Sequence, residues 1–169
     1  MAKDPDFQAD LARYPRRPFL CEQSIWAVWI YRIGRRIHKR QPGVLKSISL
    51  KIYWLAFRFV ETVTGISLPM DASVGPGLRI HHFGNIFIHP ATVLGRNVTL
   101  RQGVTIGNRR NDDAAPVIGD DVEFGAYAQV LGGIRIGRGA RIGAMSVVLL
   151  DVPDGATVVG NPARIISSP

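Results

Sequence analysis

The stretch VIGDDVEFGAYAQVLGGIRIGRGARIGAMSVV, residues 117–148, decides the fold, because an apolar residue returns in it at every sixth position. The same spacing extends back to Val74 with two interruptions. Its twelve positions are Val74, Ile80, Ile86, Leu94, Leu100, Ile106, Ile118, Phe124, Val130, Ile136, Ile142 and Val148. A period of six fits neither the period of about 3.6 of an α-helix nor that of about two of an ordinary strand, so it indicates an internal repeat of short strands and corners.

The repeat predicts a mainly β fold in which three six-residue units make one triangular coil. One coil cannot bury its own apolar side chains, so successive coils must stack, and twelve positions give a parallel β-helix of about four coils. Seven of the twelve positions are followed directly by glycine, which tolerates a positive φ and leaves room for the next coil at a tight corner. A β-sandwich would instead show irregular spacing between its turns.

The spacing of the repeat is interrupted at two places. The first interruption, between positions 86 and 94, is two residues longer than the repeat and contains His89 and Pro90. The second, between positions 106 and 118, lacks one apolar residue and reads NRRNDDAA over residues 108–115. That polar run has no apolar face to bury, so it predicts an extruded loop near residues 108–116.

Positive charge is concentrated in the first 65 residues. They hold 12 Lys and Arg against 5 Asp and Glu, a net charge of +7, whereas residues 66–169 hold 9 against 8, a net charge of +1. The sequence therefore divides into a basic α-helical segment, residues 1–65, and a nearly neutral β-helix domain with a C-terminal tail, residues 66–169. The single cysteine, Cys21, excludes an intrachain disulfide and is typical of the reducing cytoplasm.

Two amphipathic helices are predicted in the basic segment, from Ser24 to Arg40 and from about Val44 to Thr64. Charged residues interrupt the second helix, so no transmembrane span is predicted, and the first twenty residues show no signal peptide pattern. The apolar stripes of the helices either dock onto the β-helix or other subunits, or lie on the inner face of a membrane through residues 20–65. Nucleic acid is not expected as a partner, because no recognised module is present.

Three motifs carry a resemblance to a known family. They read VGPGLRIHH at residues 74–82, QGVTIG at residues 102–107 and GNPARII at residues 160–166. In this order they resemble the hexapeptide-repeat acyltransferases, most of all the serine acetyltransferase group and its relatives that acetylate sugars in exopolysaccharide synthesis. The resemblance implies a left-handed parallel β-helix that forms homotrimers, with pairing of trimers as a further step. It also implies direct transfer of an acetyl group from acetyl-CoA, bound between subunits, to a hydroxyl without a metal.

His82 matches the catalytic histidine of this family. An alcohol is a poor nucleophile at neutral pH, so the reaction needs a general base, and an imidazole with a pKa of about 6.5 can accept the proton. The resemblance places His81, where serine acetyltransferases carry aspartate, in the wall of the acceptor pocket. His89 either lines the acceptor site or lies at an exposed corner, and Asn85 and Arg109 are predicted to bind the acceptor.

Besides His81, two further positions depart from the family pattern. The carboxylate that orients the base in serine acetyltransferases is replaced by Ser67, which leaves Asp71 as the acid that would orient the catalytic histidine. The histidine that binds the serine carboxylate in the family is replaced by Ala115, and Arg109 and Arg110 of the same loop do not match its spacing. The second departure weakens L-serine and favours a sugar hydroxyl as acceptor.

The acetyl-CoA site is predicted at corners formed by small residues. The resemblance implies that such residues let the pantetheine arm approach the backbone, and that a basic residue in the tail binds the phosphates of CoA. The predicted donor-binding residues are Gly125, Ala126, Gly143, Ala144, Ser146 and Arg164.

The sequence favours an acetyl-CoA-dependent O-acetyltransferase that acts on a sugar of a polysaccharide or its precursor. A serine O-acetyltransferase of cysteine biosynthesis is the first alternative. A non-catalytic β-helix scaffold is the second, and a metal site between subunits belongs to that class. No metal site is predicted, because His81 and His82 are adjacent and adjacent side chains of a strand point apart.

Overall fold

Four helices precede fifteen short strands in the computed structural model, which describes residues 4–110 and 114–168. The helices are α1 Pro5–Ala12, α2 Pro18–Cys21, α3 Ser24–His38 and α4 Val44–Thr64. The strands are β1 Ile66–Ser67, β2 Ser73–Val74, β3 Arg79–His81, β4 Ile86–Ile88, β5 Val93–Leu94, β6 Thr99–Arg101, β7 Thr105–Gly107, β8 Val117–Ile118, β9 Glu123–Phe124, β10 Gln129–Leu131, β11 Arg135–Ile136, β12 Arg141–Ile142, β13 Val147–Val148, β14 Thr157–Gly160 and β15 Ala163–Ser167.

The strands form three sheets that wind as a triangular solenoid. Sheet 1 has the order β1-β4-β7-β10-β13, sheet 2 the order β2-β5-β8-β11, and sheet 3 the order β3-β6-β9-β12-β14-β15. Most strands pair in parallel with the strand three further along the chain, as β1 does with β4, whereas β15 returns antiparallel to β14. We name two of the three stacks of turns: the His89 corner joins sheet 1 to sheet 2, and the His82 corner joins sheet 3 to sheet 1.

All twelve positions of the six-residue repeat face the interior and are at most 8% exposed. They stack in ladders, so that Leu94 lies beside Ile118 and Ile118 beside Ile136. Ile66 and Val152 continue the ladders beyond the repeat. The result is four complete coils and a partial fifth. The predicted left-handed parallel β-helix with an α-helical N-terminal segment is therefore confirmed.

Six of the seven glycines that follow the apolar positions are required by space rather than by φ; the exception is Gly107, whose Cβ would meet only the Cβ of His89, at 3.9 Å. A Cβ on Gly75 would lie 2.7 Å from the carbonyl carbon of Gly95, and one on Gly125 would lie 2.7 Å from the Cα of Ala144, both in the next coil. The positive φ angles of these corners occur two residues later, for example 59° at Tyr127. These distances correct the explanation of the glycines by a positive φ. It is the backbone of the next coil that leaves no room for a side chain.

The first interruption of the repeat lies at the His82 corner. Ile88, and not Ile86, is in register with Ile106, so Ile88 and Leu94 keep the six-residue spacing across the His89 corner, whereas Ile80 and Ile88 are eight residues apart. The two extra residues therefore belong to the turn that holds His82, which corrects the predicted insertion around His89. The predicted loop leaves the His89 corner after β7. Its residues 109, 110 and 114 are exposed, and residues 111–113 lie outside the described residues.

Helix α3 docks onto the first coil through one face. Ile25, Val28 and Tyr31 are completely buried and belong to the same hydrophobic core as the solenoid. The hydroxyl of Tyr31 donates a hydrogen bond of 2.8 Å to the carbonyl oxygen of Ala72. Docking onto the β-helix, one of the two alternatives for the predicted helices, is therefore confirmed for α3.

A buried ion pair joins α1 to α3 and both helices to the solenoid. Arg32 Nε lies 2.8 Å from Asp10 Oδ2, and neither side chain is more than 3% exposed. Asp10 also accepts hydrogen bonds from the backbone N–H groups of Gly77 and Leu78, at 2.9 and 2.8 Å, while Arg32 donates to the carbonyl oxygen of Gly75 at 2.7 Å. Burial raises the pKa of Asp10, although the arginine and the two N–H groups act in the opposite direction.

Helix α4 packs against α3 and leaves its outer side exposed. Tyr53 and Phe57 are buried at the contact between the two helices. Helix α3 ends at His38 rather than at the predicted Arg40, and Lys46 Nζ donates to the carbonyl oxygen of His38 at 2.8 Å. Among the helices of the described residues, none is both long and apolar enough to cross a membrane.

Candidate active site

His82 lies in the first turn of the His82 corner, directly after β3. Its φ is 67°, in the left-handed region, and its side chain is exposed. Asn85, three residues later in the same turn, has a φ of 54° and is also exposed. Left-handed conformations are uncommon for residues other than glycine and concentrate at functional sites. This turn therefore presents the predicted general base and a predicted acceptor-binding amide together.

Glu22 and Arg79 form a bidentate ion pair beside His81. Glu22 follows α2 and Arg79 begins β3. Arg79 Nη2 donates to Glu22 Oε1 at 2.8 Å, Nη1 donates to Oε2, and the same Nη2 lies 3.5 Å from His81 Nδ1. The guanidinium group also lies over the ring of Tyr14, 4.1 Å from its centroid. These contacts hold the guanidinium plane in one orientation at the edge of the site.

A cavity of about 300 Å³ connects this ion pair to His82. It is lined by Cys21, Glu22, Gln23, Ser24, Arg79, His81, His82 and Phe83. The hydrogen-bonded guanidinium of Arg79 lowers the pKa of the Glu22 carboxyl, and the two histidines add smaller contributions. Burial lowers the pKa of His81, and the charges of Arg79 and Arg101 act in the same direction. At neutral pH the cavity therefore contains an ionised Glu22 and an uncharged His81.

The His82 corner also carries four of the predicted donor-binding residues. Gly125 and Ala126 lie in the turn from β9 to β10, and Gly143 and Ala144 lie in the turn from β12 to β13. The two turns are in direct contact, because the backbone N–H of Met145 donates to the carbonyl oxygen of Ala126 at 2.8 Å. The structure thus places these small residues in one column with the turn that holds His82.

Ser146 and Arg164 have different surroundings. Ser146 is completely buried, and its hydroxyl accepts a hydrogen bond of 3.0 Å from the backbone N–H of Gly160. The predicted contact of Ser146 with acetyl-CoA is corrected here. Its side chain hydrogen-bonds to β14 and does not reach the surface. Arg164 is exposed on β15 and donates to the carbonyl oxygen of Ala163 at 3.0 Å. Its contact with CoA stays a prediction.

Asp71, His89 and Arg109 all lie at the His89 corner. They follow β1, β4 and β7 respectively, whereas His82 follows β3. Asp71 Oδ1 lies 4.0 Å from His38 Nδ1, and the imidazole of His82 makes no hydrogen bond within the described residues. Within one chain Asp71 does not contact His82, because one full side of the triangular coil separates them. Asp71, His89 and Arg109 can reach His82 only from a neighbouring copy, and their roles stay predictions.

Sequence patterns did not indicate Glu22 or Arg79. Arg79 lies between the inward-facing Leu78 and Ile80, so it occupies an outward position of β3, yet it is only 7% exposed. The helical segment covers it, and its partner Glu22 is 57 positions away in the chain. The available signal was an arginine two residues before His81, but no local pattern could supply the partner.

The described residues contain no group of three or more His, Cys, Asp and Glu side chains arranged to hold a metal ion. The two adjacent histidines differ in their surroundings. His81 is half-buried beside Arg79, whereas His82 is exposed.

Comparisons with known proteins agree with one another. The family model described as bacterial transferase hexapeptide (six repeats) matches residues 115–149. The serine acetyltransferase of Helicobacter pylori strain 26695 is 34% identical over 161 residues, which cover 92% of this chain and 88% of the relative. The serine acetyltransferase of Bacillus pumilus is 38% identical over 153 residues, which cover 87% of this chain. The match spans 65% of the length of that Bacillus relative.

Two solved structures share the fold. The serine acetyltransferase of Neisseria gonorrhoeae in complex with serine has a TM-score of 0.81 and 33% identity, covering 96% of this chain and 68% of that chain. The soybean serine acetyltransferase apoenzyme has a TM-score of 0.82 and 30% identity, covering 96% and 70%. The likeness therefore includes the helices as well as the solenoid. With 34% identity along most of the Helicobacter pylori relative, the chain belongs to the serine acetyltransferase family of hexapeptide-repeat transferases.

Proposed function

We propose that the chain is an acetyl-CoA-dependent O-acetyltransferase with His82 as the general base and serine as the acceptor. The observation that carries the proposal is the position of His82, exposed at the corner whose later turns begin with the small pairs Gly125-Ala126 and Gly143-Ala144. The relatives described above are serine acetyltransferases by name, which supports serine more than the sugar hydroxyl that the sequence alone favours.

His82 accepts the proton of the acceptor hydroxyl while that oxygen attacks the carbonyl carbon of the thioester. The tetrahedral intermediate then loses its C–S bond, and His82 returns the proton to the departing thiolate. General-base catalysis of this kind contributes a factor of about 10² to 10⁴ in rate. Since His82 has no hydrogen-bond partner within the described residues, we expect a group of a neighbouring copy or of the acceptor to orient its ring.

The later turns of the His82 corner fit the pantetheine arm of acetyl-CoA. Gly125, Ala126, Gly143 and Ala144 have no side chain larger than a methyl group, so an extended ligand can approach the backbone of two successive turns. The exposed guanidinium of Arg164 suits a phosphate group of CoA. These residues bind and orient the donor, and His82 supplies the proton transfer.

A sugar hydroxyl is the second candidate acceptor, favoured by three positions that differ from the family pattern. They are Ser67, His81 and Ala115, which stand where serine acetyltransferases carry two acids and a carboxylate-binding histidine. A serine carboxylate needs a cation, and Arg79 in this cavity is already paired with Glu22. A sugar hydroxyl needs no such cation.

We also propose a homotrimer as the active form. Within one chain the predicted acceptor-binding residues His89 and Arg109 lie at a different corner from His82. A cyclic trimer in which the His89 corner of one copy meets the His82 corner of the next would bring these residues together. A pairing of trimers and a cytoplasmic location belong to the same proposal.

Thiol release from acetyl-CoA tests the choice of acceptor. The purified chain is mixed with acetyl-CoA and either L-serine or a panel of free and nucleotide-linked sugars, and free thiol is followed with a chromogenic disulfide reagent. We expect turnover with L-serine. Turnover with a sugar and none with L-serine would establish the second candidate, and no turnover with any acceptor by a folded protein would favour the scaffold.

His82→Ala tests the general base with the acceptor identified in this way. We expect kcat to fall by about 10² to 10⁴-fold, because the hydroxyl proton then has no acceptor. His38→Ala is the matched control, since His38 is exposed at the end of α3 and should leave kcat unchanged. A turnover number that survives His82→Ala would exclude this role.

A further inference from the structure

The outer side of α4 carries a continuous apolar stripe, which we call the α4 face. Its six side chains are each 51–80% exposed: Leu45, Ile48, Ile52, Leu55, Phe59 and Val63. They follow one another at spacings of three and four residues, so they line one side of the helix over its whole length. Contiguous exposed apolar surface of this kind marks a site of interaction.

Positive charge surrounds the α4 face. Residues 35–64 contain seven Lys and Arg and one acid, Glu61, which pairs with Arg58. Five of these cations are exposed: Arg36, Lys39, Arg40, Lys51 and Arg58. The groove of about 730 Å³ between α3 and α4, beside the stripe, has Ile33, Ile37 and Ala56 in its walls and includes Arg36 and Arg40 in its lining. Apolar side chains and cations are therefore presented on the same side of the molecule.

The charge distribution indicates which partner fits the α4 face. Two copies of the chain that paired through their α4 faces would bring two sets of cations together, and Glu61, the one acid of residues 35–64, is already paired with Arg58. An anionic bilayer accepts both features, since acyl chains take up the apolar stripe and lipid phosphates meet the cations. We propose that the α4 face docks onto an anionic lipid surface, with α4 lying in the plane of the headgroups.

The C-terminal end of the α4 face lies next to the cavity that contains His82. Phe59 and Val63 line a small apolar cleft together with Gln23, and Gln23 also lines the cavity with His82. A docked α4 therefore holds the candidate active site close to the bilayer surface. The docking itself depends on the helices alone and is independent of which acceptor the site takes.

Co-sedimentation with vesicles tests the docking. The full chain is mixed with vesicles of phosphatidylcholine alone, or of phosphatidylcholine and phosphatidylglycerol in equal amounts. We expect binding to the anionic vesicles only, weakened by added salt because exposed charges are screened. Replacing Ile52 and Leu55 together by serine should lower the apparent affinity by about tenfold or more, since both side chains lose their burial in lipid.

Matched variants separate the α4 face from other surfaces. Val117→Ser is the control, because Val117 is an exposed apolar residue of sheet 2 and should leave vesicle binding unchanged. Lys51→Glu should weaken binding through charge alone, and circular dichroism confirms that each variant folds. Equal binding to neutral and anionic vesicles would overturn the proposal, as would binding unaffected by the α4 variants. A smaller oligomer of the Ile52→Ser/Leu55→Ser variant in light scattering, with no vesicle binding by the unmodified chain, would assign the face to a second copy.

Discussion

Arg79 shows how the helical segment changes the chemistry of a coil residue. Its position in β3 faces outward, where solvent would normally surround a cation, but Glu22 and Tyr14 cover it. The carboxylate neutralises the guanidinium, and burial keeps His81 beside it uncharged at neutral pH. The cavity in front of His82 therefore has a fixed charge pattern that depends on a contact between two distant parts of the chain.

Glu22→Gln should destabilise the fold at neutral pH by about 1–3 kcal/mol, because it replaces two charge-assisted hydrogen bonds by weaker ones. Arg79 lowers the pKa of Glu22 below its ordinary value of 4.5, so the stabilisation is present above that value and is lost as the pH falls through the folded-state pKa. Denaturant unfolding at pH 7 and at successively lower pH checks this. The difference between the two proteins should shrink in acid, and a constant difference would contradict the assignment.

Gly125→Ala should lower the unfolding free energy by about 1–3 kcal/mol, because the added methyl group overpacks the corner. Its Cβ would lie 2.7 Å from the Cα of Ala144 in the next coil, and backbone cannot move aside as a flexible side chain can. Gly43→Ala is the control, since a Cβ there meets nothing within 4 Å. Thermal melting of the two variants distinguishes them, and equal melting temperatures would refute the spatial explanation.

At the scale of elements, the sequence predicts the features that repeat and misses those that depend on one distant contact. The six-residue spacing predicts the ladders because each position, such as Val74, faces the same interior as its counterpart one coil later. It does not predict the ion pair of Glu22 and Arg79, since those residues meet only after α2 has docked. Asp71 is a related case: it is close to His82 in sequence, yet the two residues occupy different corners of one chain.

Arg32→Met should destabilise the junction of α1, α3 and the solenoid by about 3–5 kcal/mol, because it leaves Asp10 buried without its cation. Burial already raises the pKa of Asp10, so the folded state binds its proton more readily than the unfolded chain. Lowering the pH should therefore reduce the loss, since protonation removes the unpaired charge. Arg58→Met removes an exposed pair with Glu61 and serves as the control in urea unfolding. A loss that does not depend on pH would contradict the role given to Asp10.

At the scale of the whole molecule, the solenoid and the basic helical segment have different roles. The solenoid supplies a rigid column of turns and is almost neutral, whereas residues 1–65 carry a net charge of +7. The helices complete the cavity at one end of that column through Glu22. They also present the α4 face outward, so that the candidate site and the proposed docking surface share one end of the solenoid.

Complementation between two variants tests whether the active form joins neighbouring copies. His82→Ala and Arg109→Ala should each lose most turnover, because the two residues lie at different corners and would meet only across a subunit interface. In trimers assembled from equal amounts of both variants, about one interface in four pairs an intact His82 with an intact Arg109, so about a quarter of the original turnover should return.

The control mixture contains His82→Ala and the double variant His82→Ala/Arg109→Ala, which can form no intact interface and should stay inactive. Recovery in the first mixture alone would show that one site takes residues from two copies. Full turnover by Arg109→Ala alone would remove this residue from the acceptor site. Failure of the first mixture, despite mixed trimers seen by native mass spectrometry, would mean that the two corners do not meet, because assembly would have occurred without forming a site.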